Sequence, residues 1–562
     1  MPGYITQGKI MRTAITTCLS LLAASQINAA ELISINGAGN DAGNASASVS
    51  RESVNTISED GRYVLFTSGS SDLGPTDTNG NPDLYLRDRQ AGTTELISIN
   101  AAGTDSGNGN TFAGTMSDDG RYVVFTSSSD DLVANDTNGN NDLFIRDRQS
   151  GTTTMISRNL SATNGGDDDA QNFSITPDAA FIVYTTLASD MVATDTNADN
   201  DIFLYDRVAG TNTLISRNAA GDAGNNRSNI SGHQCISDDG RYIVFKSDAS
   251  DIISGDTNGF TDAFLYDTTT STYTRISTIE GDDTTGGNGE TGTPVISGDG
   301  SRVVMWTLAS DLVTSIPDTN MESDYVSYLV ATGEKTLVTT NAAGTTAATG
   351  GSNRSGPRLS DDGRYFAWES SMQDLTSDNN AGSGNDIYLR DLVDGITTLV
   401  SINASGTASC NDQNDDVQLS ANGRFVYYES NCTDLTTDSD TNFADDSFMY
   451  DSQEGINYLL SVSAAGSMTG DAFSYDPVIS PSGQYIVFDS GASDLDATVS
   501  DTNANGDVYL VDAADFVAAS AFALSSGGGG GSSSLGPLFV LLFAAPLVLS
   551  RRRTQLGAQA QK

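Results

Sequence analysis

Ser117-Asp118-Asp119-Gly120-Arg121-Tyr122 is the phrase on which the fold turns. It recurs unchanged at 237–242 and 360–365. Near copies are Ser58-Glu59-Asp60-Gly61-Arg62-Tyr63, Ser297-Gly298-Asp299-Gly300 and Ser480-Pro481-Ser482-Gly483. Degenerate copies stand at Thr176-Pro177-Asp178-Ala179 and Ser420-Ala421-Asn422-Gly423. The glycines fall at 61, 120, 240, 300, 363, 423 and 483, with Ala179 in the gap, so the period is 59 to 63 residues and there are eight units. A fixed period of this length marks a repeat architecture.

Working outward from the phrase gives four strands per unit. In the second unit, strand a ends at Met116 and Asp119-Gly120 is a hairpin turn signal. Strand b is 122–126, a long loop runs from 127 to 141, and strand c is 142–146. Gln149-Ser150-Gly151 turns the chain into strand d, 153–157. Four short antiparallel strands, repeated in series, fit a propeller blade. The eighth unit has a strand c at 507–511 but no strand d after it. Glu31-Leu-Ile-Ser-Ile-Asn36 matches the d strand Glu95-Leu-Ile-Ser-Ile-Asn100, so the displaced strand can complete the last blade. An open solenoid has no use for such a strand and needs caps. The expected fold is therefore all-β: one closed eight-bladed propeller over residues 31–512, its last blade completed by the N-terminal strand.

The units resemble the TolB-type, WD-like bacterial propeller repeats, which pair Ser-Pro-Asp-Gly with a later Asp-Ile-Tyr-Leu. Asp386-Ile387-Tyr388-Leu389 and Asp507-Val508-Tyr509-Leu510 carry the second half of that signature. The resemblance spans the whole repeat region and implies a fold, not a function.

Composition narrows the function classes. There are 73 acidic and 27 basic side chains, a net charge of −46, and a single histidine. Such a chain lacks the basic footprint that neutralises phosphates, so nucleic acid is not an expected partner. One histidine excludes a multi-histidine zinc site and allows at most one Ser-His-Asp arrangement. Eleven of the 73 acids are Glu; the rest are Asp, which suits turns rather than helices.

The two ends read as addresses. Lys9 and Arg12 precede an apolar run, Ala14 to Ala24, and Ile27-Asn28-Ala29 offers a cleavage site, so 1–30 reads as a secretory signal peptide, with Met11 as an alternative initiator. Residues 513–534 form a linker that ends in a Gly/Ser run, and 535–562 hold a short apolar span followed by Arg551-Arg552-Arg553. The span, 535–550, is sixteen residues, short of the ~20 a spanning helix needs. The order Gly/Ser stretch, apolar span, Arg cluster resembles the GlyGly-CTERM sorting signal of Gram-negative bacteria. That resemblance implies rhomboid-type cleavage and display at the cell surface or release. A plain membrane anchor is the alternative. Either way the membrane is met only through this tail.

Turn parity puts the b–c loops and d–a links on one face and the tight hairpins on the other, so the Asp, Asn and Gly decoration is expected on the long-loop face. The b–c loop reads Asp77-Asn79-Asn81-Asp83 at alternate positions in the first unit and Asp136-Asn138-Asn140-Asp142 in the second. The third has Asp195-Asn197-Asp199-Asp201, the fourth Asp256-Asn258-Asp262, and the eighth Asp501-Asn503-Asn505-Asp507. Oxygens at positions 1, 3, 5 and 7 mimic the first half of a calcium loop. A further Asp stands five residues upstream in the first four units, at Asp72, Asp131, Asp190 and Asp251. The fifth (Asp318, Asn320, Asp324) and seventh (Asp440, Asn442, Asp446) copies match less well, and an insertion, 378–386, breaks the sixth. The same residues also suit plain Asx turns, and no bidentate Glu closes the loop. Calcium and simple turn chemistry both remain open here.

Other signals are weaker. Ser-Asp-Asp-Gly has the wrong spacing for a sialidase Asp box, and no Gly-x-Ser-x-Gly elbow is present. His233 and Cys235 lie together on strand a of the fourth unit, as half a metal site or as ordinary strand positions. Cys410 and Cys432 flank strands a and b of the seventh unit and are candidates for a disulfide; Cys235 is then left over. Tyr122, Phe125 and their equivalents read as core between blades. The leading functional expectation is an exported, monomeric, calcium-binding module with a protein or polysaccharide partner and no catalytic residues. The alternatives are a lyase or hydrolase acting on an extracellular polymer at the propeller mouth, with Arg158, Arg217 or Arg275 meeting an acidic sugar, and a TolB-like periplasmic scaffold. Unlike polar groups in a central cavity favour an enzyme; an even acidic rim favours binding.

Overall fold

The computed structural model describes residues 30–49, 55–353, 356–378, 384–466 and 468–517. The segments expected to be a signal peptide (1–30), a linker (513–534) and a sorting or anchor tail (535–562) lie outside the described residues, apart from Ala30 and residues 513–517. Those residues form eight four-stranded antiparallel sheets, arranged as the blades of an all-β propeller. The second blade is representative: strand a is Thr111–Met116, b Tyr122–Ser127, c Asp142–Asp147 and d Thr152–Met155. The eighth sheet takes its fourth strand from Glu31–Leu32, with Glu31 opposite Leu510 and Leu32 opposite Tyr509.

Strand a lines the centre. Thr115, Phe173, Gln234, Ile296, Leu359, Leu419 and Ile479, all from a strands or their flanks, face a single axial cavity. Within a blade, strands b and c stack aromatic pairs such as Phe125–Phe144 and Trp368–Tyr388, with ring centroids 5.7 and 5.6 Å apart. The fifth blade puts Met305 opposite Val326 at this place. Between blades the apolar faces merge: Leu65, Leu84 and Leu86 of the first blade pack on Met116, Val123 and Phe125 of the second. Phe125 is therefore core, whereas Tyr122 is only half-buried, held between the guanidinium groups of Arg121 and Arg207 at 4.7 and 3.8 Å.

Two devices fix the repeat geometry. The hairpin turns are laced from blade to blade by backbone bonds, such as Glu59 N–H to Asp118 O (2.9 Å) and Asp118 N–H to Pro177 O (2.8 Å). On the other face, each d–a link runs tightly over the end of strand b. A Cβ on Gly107 would meet Ser129 at 2.5 Å, and one on Gly470 would meet Ala492 at 2.8 Å. In the seventh blade the same approach is spanned by a Cys410–Cys432 disulfide, with Cα atoms 5.9 Å apart.

Candidate metal-binding loops and the central mouth

The Asp that opens strand c is fixed identically in all eight blades by a hydroxyl on strand d or just beyond it. Ser98 donates to Asp83 (2.6 Å), Ser157 to Asp142 (2.6 Å), Ser216 to Asp201 (2.5 Å) and Ser277 to Asp262 (2.5 Å). Thr339, Ser401 and Ser461 do the same for Asp324, Asp386 and Asp446 at 2.5, 2.7 and 2.7 Å. In the eighth blade the donor is Ser34, 2.6 Å from Asp507. The second carboxylate oxygen takes the side-chain amide of the loop Asn: Asn79 to Asp83 at 3.0 Å, Asn138 to Asp142 at 2.8 Å, Asn197 to Asp201 at 3.1 Å, and Asn503 to Asp507 at 2.7 Å. The same Nδ2 bonds the d–a link, as Asn138 does at Gly166 O (2.8 Å), while its Oδ1 accepts the position-5 backbone N–H, as from Asn140 (3.2 Å) and Asp199 (2.8 Å).

The structure thus brings positions 1, 3 and 7 of the motif together, and turn chemistry accounts for the Asn. Asn81, Asn140, Asp199 and Asn505 contribute their N–H to the turn and are only half-buried. The upstream aspartates turn away: Asp72, Asp131, Asp190 and Asp251 each accept a d–a link N–H at 2.9–3.0 Å.

What turn chemistry does not resolve is charge. Asp83, Asp142, Asp201 and Asp507 are 0% exposed. Burial first, then repulsion from the position-1 carboxylate, pushes Asp83 and Asp507 up to about 6 and Asp142 and Asp201 to about 7. In the first blade Asp77 is at least well solvated by protein, accepting from Tyr85 (3.0 Å) and Ser106 (3.1 Å). In the second, Phe144 and Gly165 stand at those places, and Asp136 Oδ1 is buried without a partner.

The fourth loop differs. Arg275 stands where Leu96, Met155 and Leu214 stand in the first three blades. Its Nη1 lies 3.1 Å from Asp256 and 3.2 Å from Asp262, so a guanidinium neutralises both carboxylates. Arg275 is buried in this pair and is not a free group for a sugar. Arg158 and Arg217 follow outer strands, lie beside Tyr205 and Tyr273, and line neither of the two central cavities.

The centre is not uniform. A cavity of about 430 Å³ on the long-loop side is lined by His233, Trp306, Tyr325 and Asn353. His233 and Gln234 reach past the fifth blade to the sixth. Arg358 Nη1 lies 2.6 Å from His233 Nε2, and Gln234 bonds Leu359 through both its amide atoms (2.6 and 3.1 Å). A guanidinium only donates, so His233 accepts and is neutral, and burial holds its pKa well below the usual value. His233 is therefore an interblade strut. Cys235 is a buried free thiol, pushed up to about 12 by burial.

Aligned on the turn glycine, the residue six places after it is Thr67, Thr126 and Thr185 in the first three blades. It is Lys246, Trp306, Glu369, Glu429 and Asp489 in the others. Glu369 and Glu429, raised to about 8 mainly by burial, bond backbone N–H groups of the next blade; Glu429 takes that of Asp476 at 3.0 Å. Asp416, Glu429 and Asp476 each offer an oxygen within 4.8 Å of the others, a possible acidic metal cluster. Sequence reading by motif missed these columns; the aligned repeats contain them.

No family model matches the chain, and no curated protein matches it. Solved structures do. One is an oligogalacturonate lyase in complex with manganese, 13% identical, covering 83% of this chain and 90% of that one, with a TM-score of 0.39. A prolyl endopeptidase is 12% identical over 87% of this chain and 61% of its own, with a TM-score of 0.42. A TolB candidate from Agrobacterium tumefaciens is 18% identical over 52% and 79%, with a TM-score of 0.29. The likeness to each is distant, and no residue role passes from them to this chain.

Proposed function

We propose that this chain is an exported, calcium-binding propeller that acts as a binding module at the cell surface or in the medium, its long-loop face turned to a protein or polysaccharide partner. One observation carries the reading: the buried position-7 aspartate has a position-1 carboxylate beside it, buried in the first three blades and half-buried in the fourth, fifth, seventh and eighth, and among the described residues only Arg275 brings a basic side chain to any of these pairs. Buried charge is expensive unless paired, and a hard divalent cation is the oxygen-ligated partner such pairs suit. The first 30 residues and the C-terminal segment, with their signal-peptide and sorting-signal character, support export and a transient membrane stage. The test is the melting temperature of the protein in millimolar calcium and in excess chelator. Binding to the folded state alone raises stability by ~2.7 kcal/mol per site at a hundredfold excess over Kd. Coincident melts would refute the calcium reading.

A second reading, a hydrolase or lyase at the mouth, is favoured by the Asp416–Glu429–Asp476 cluster, where Glu429 is raised to about 8 by burial and so stays protonated at neutral pH. Such a group can serve as a general acid. Release of oligosaccharides from extracellular polysaccharide, abolished in Glu429→Gln, would establish it; no release from any polymer tested would remove it.

A further inference from the structure

The fifth blade departs from the others where its strands b and c reach the central mouth. Trp306 on strand b stands opposite Tyr325 on strand c. The same place pairs Thr67 with Leu84, Thr126 with Leu143 and Thr185 with Ile202 in the first three blades. It pairs Lys246 with Ala263, Glu369 with Ile387, Glu429 with Ser447 and Asp489 with Val508 in the rest. Among the described residues no other blade has an aromatic ring there. Gly292 leaves room beside the indole: a Cβ at that position would meet Trp306 Cε3 at 2.6 Å.

The cavity of about 430 Å³ lies against this pair. The fourth and sixth blades join across the fifth through the His233–Arg358 and Gln234–Leu359 bonds, and Val295, Trp306 and Tyr325 of the fifth line the space left beside that bridge. Its volume falls within the ~300–1,000 Å³ of small-molecule sites. Its wall is aromatic, polar at a few points and uncharged. Among the described residues no Lys, Arg, Asp or Glu lines it, and His233 is neutral. The Arg358 guanidinium is engaged by His233 and Gln418, at 2.6 and 3.0 Å. Asn353 supplies a polar point in the wall. It is 8% exposed, gives its Nδ2 to Ser323 O at 2.6 Å, and its Oδ1 is buried without a partner. An acceptor left unmet in this way suits a hydroxyl donor.

We propose that this cavity is a subsite for one residue of a neutral polysaccharide, its ring laid on Trp306 and a hydroxyl given to Asn353. A pyranose has an apolar C–H face and a hydroxyl edge, and so matches both an aromatic ring and a lone polar acceptor. A carboxylated or sulfated sugar finds no free cation here, and the net charge of −46 repels it. The proposal rests on the binding-module reading above and gives its partner a chemical class and a place.

Tryptophan fluorescence reads the site, because the chain has two tryptophans and the other, Trp368, is 0% exposed. The full chain is titrated in millimolar calcium with cellohexaose, xylohexaose, mannohexaose and maltohexaose, and with alginate as the charged control. The expected result is a saturable emission shift with at least one neutral oligosaccharide and none with alginate. In calorimetry Trp306→Ala should weaken that binding about tenfold or more, and Trp306→Phe, which keeps a ring in the wall and guards against a disturbed fold, should weaken it less. The emission shift itself should vanish in Trp306→Phe, where Trp368 alone remains. Undiminished binding in Trp306→Ala, or a shift that survives in Trp306→Phe, overturns the subsite and leaves a polysaccharide partner elsewhere on the propeller. A response to alginate alone overturns the neutral assignment. Silence with all five overturns the inference and leaves the calcium reading to the melts in chelator.

Discussion

In seven blades strand c carries an aspartate at each end, as in Asp83–Asp88, Asp142–Asp147 and Asp262–Asp267. The two residues lie on opposite faces, five strand steps or ~17 Å apart. At the hairpin end the arginine that follows the turn glycine pairs with the aspartate in five of these blades, as in Asp88–Arg62 at 2.7 Å and Asp147–Arg121 and Asp267–Arg241 at 2.9 Å, whereas the third blade has Ala180 and the eighth Gln484 at that place. Those bonds hold the three carboxyls below the usual range. At the long-loop end of the first two blades the partners are a neutral hydroxyl and a neutral amide, and burial pushes the carboxyls up. Among the described residues, the hairpin-end aspartates of strand c are thus mostly compensated by arginine, whereas those at the long-loop end pair with no basic side chain outside the fourth blade. The expectation that the Asp, Asn and Gly decoration lies on the long-loop face is corrected accordingly for Asp, which also stands in the hairpin-side pairs. Asp118 and Asp361 also line the axial cavity on the hairpin side, raised to about 7 by burial and by their neighbours' charge.

The largest consequence is in pH dependence. A carboxyl whose folded pKa is raised stabilises the fold fully below its unfolded value near 3.9 and loses that contribution as pH climbs through the folded value. Asp83, Asp142, Asp201, Asp324, Asp446 and Asp507, at about 6 to 7, should therefore make the chelated protein lose stability between pH 4 and 7. The Arg-paired carboxyls act oppositely, contributing above pH 4 and losing their effect as pH falls below it. Melting curves from pH 3.5 to 8 should peak near pH 4–5 in chelator, with calcium restoring the neutral side. A chelated protein most stable at pH 7 would contradict the contrast between the faces.

Next in size is Arg275→Leu. It gives the fourth blade the residue the first and third carry and strands Asp256 and Asp262 without their cation. Breaking a buried pair in this way costs ~3–5 kcal/mol. Denaturant unfolding in chelator should read that loss, and calcium should recover much of it by taking the place of the guanidinium. Recovery of nothing would mean that the pair accepts only a nitrogen donor.

Asp142→Ala comes third. It leaves Ser157 Oγ and Asn138 Nδ2 in a buried site without their acceptor, at ~2–4 kcal/mol. Ser157→Ala, which removes one bond, should cost ~1 kcal/mol. Equal costs for the two would show that the carboxylate is not the hub of the clip.

How much of this was legible differs by level. Strand order, blade count and the phase of the loops follow from local patterns, namely turn glycines and period-2 strands, and these are properties of short segments. The Asp–Ser clip was legible in principle: Asp83 and Ser98, Asp142 and Ser157, and Asp446 and Ser461 all stand 15 residues apart, yet a search for metal ligands passes over a serine. Arg275 reads from sequence as a d-strand-end residue able to meet an acidic sugar at the mouth, because strand parity alone does not reveal that its guanidinium is buried between Asp256 and Asp262. The fifth loop was discounted because motif matching rewards residue identity. Its distinctive feature is three buried carboxylate oxygens without hydrogen-bond partners, on Asp318, Glu322 and Asp324, because Val326 and Ala347 stand where the first blade has Tyr85 and Ser106.

The smallest effect sharpens the contrast from the hairpin side. Arg121 and Asp147 are bonded in bidentate fashion, at 3.0 and 2.9 Å, but the arginine side chain is 39% exposed. An ion pair open to water is screened and entropically costly to hold, so exposed pairs contribute ~0.2–1 kcal/mol. Arg121 also covers the Tyr122 ring at 4.7 Å, so Arg121→Ala removes packing along with charge and Asp147→Asn removes charge alone. A double-mutant cycle on unfolding free energy should therefore give a coupling below 1 kcal/mol, shrinking further in 1 M salt, while the Arg275 pair keeps its coupling there. If the two pairs responded alike to salt, burial would not be what separates the two faces, and the case for cations on the long-loop side would lose its physical basis.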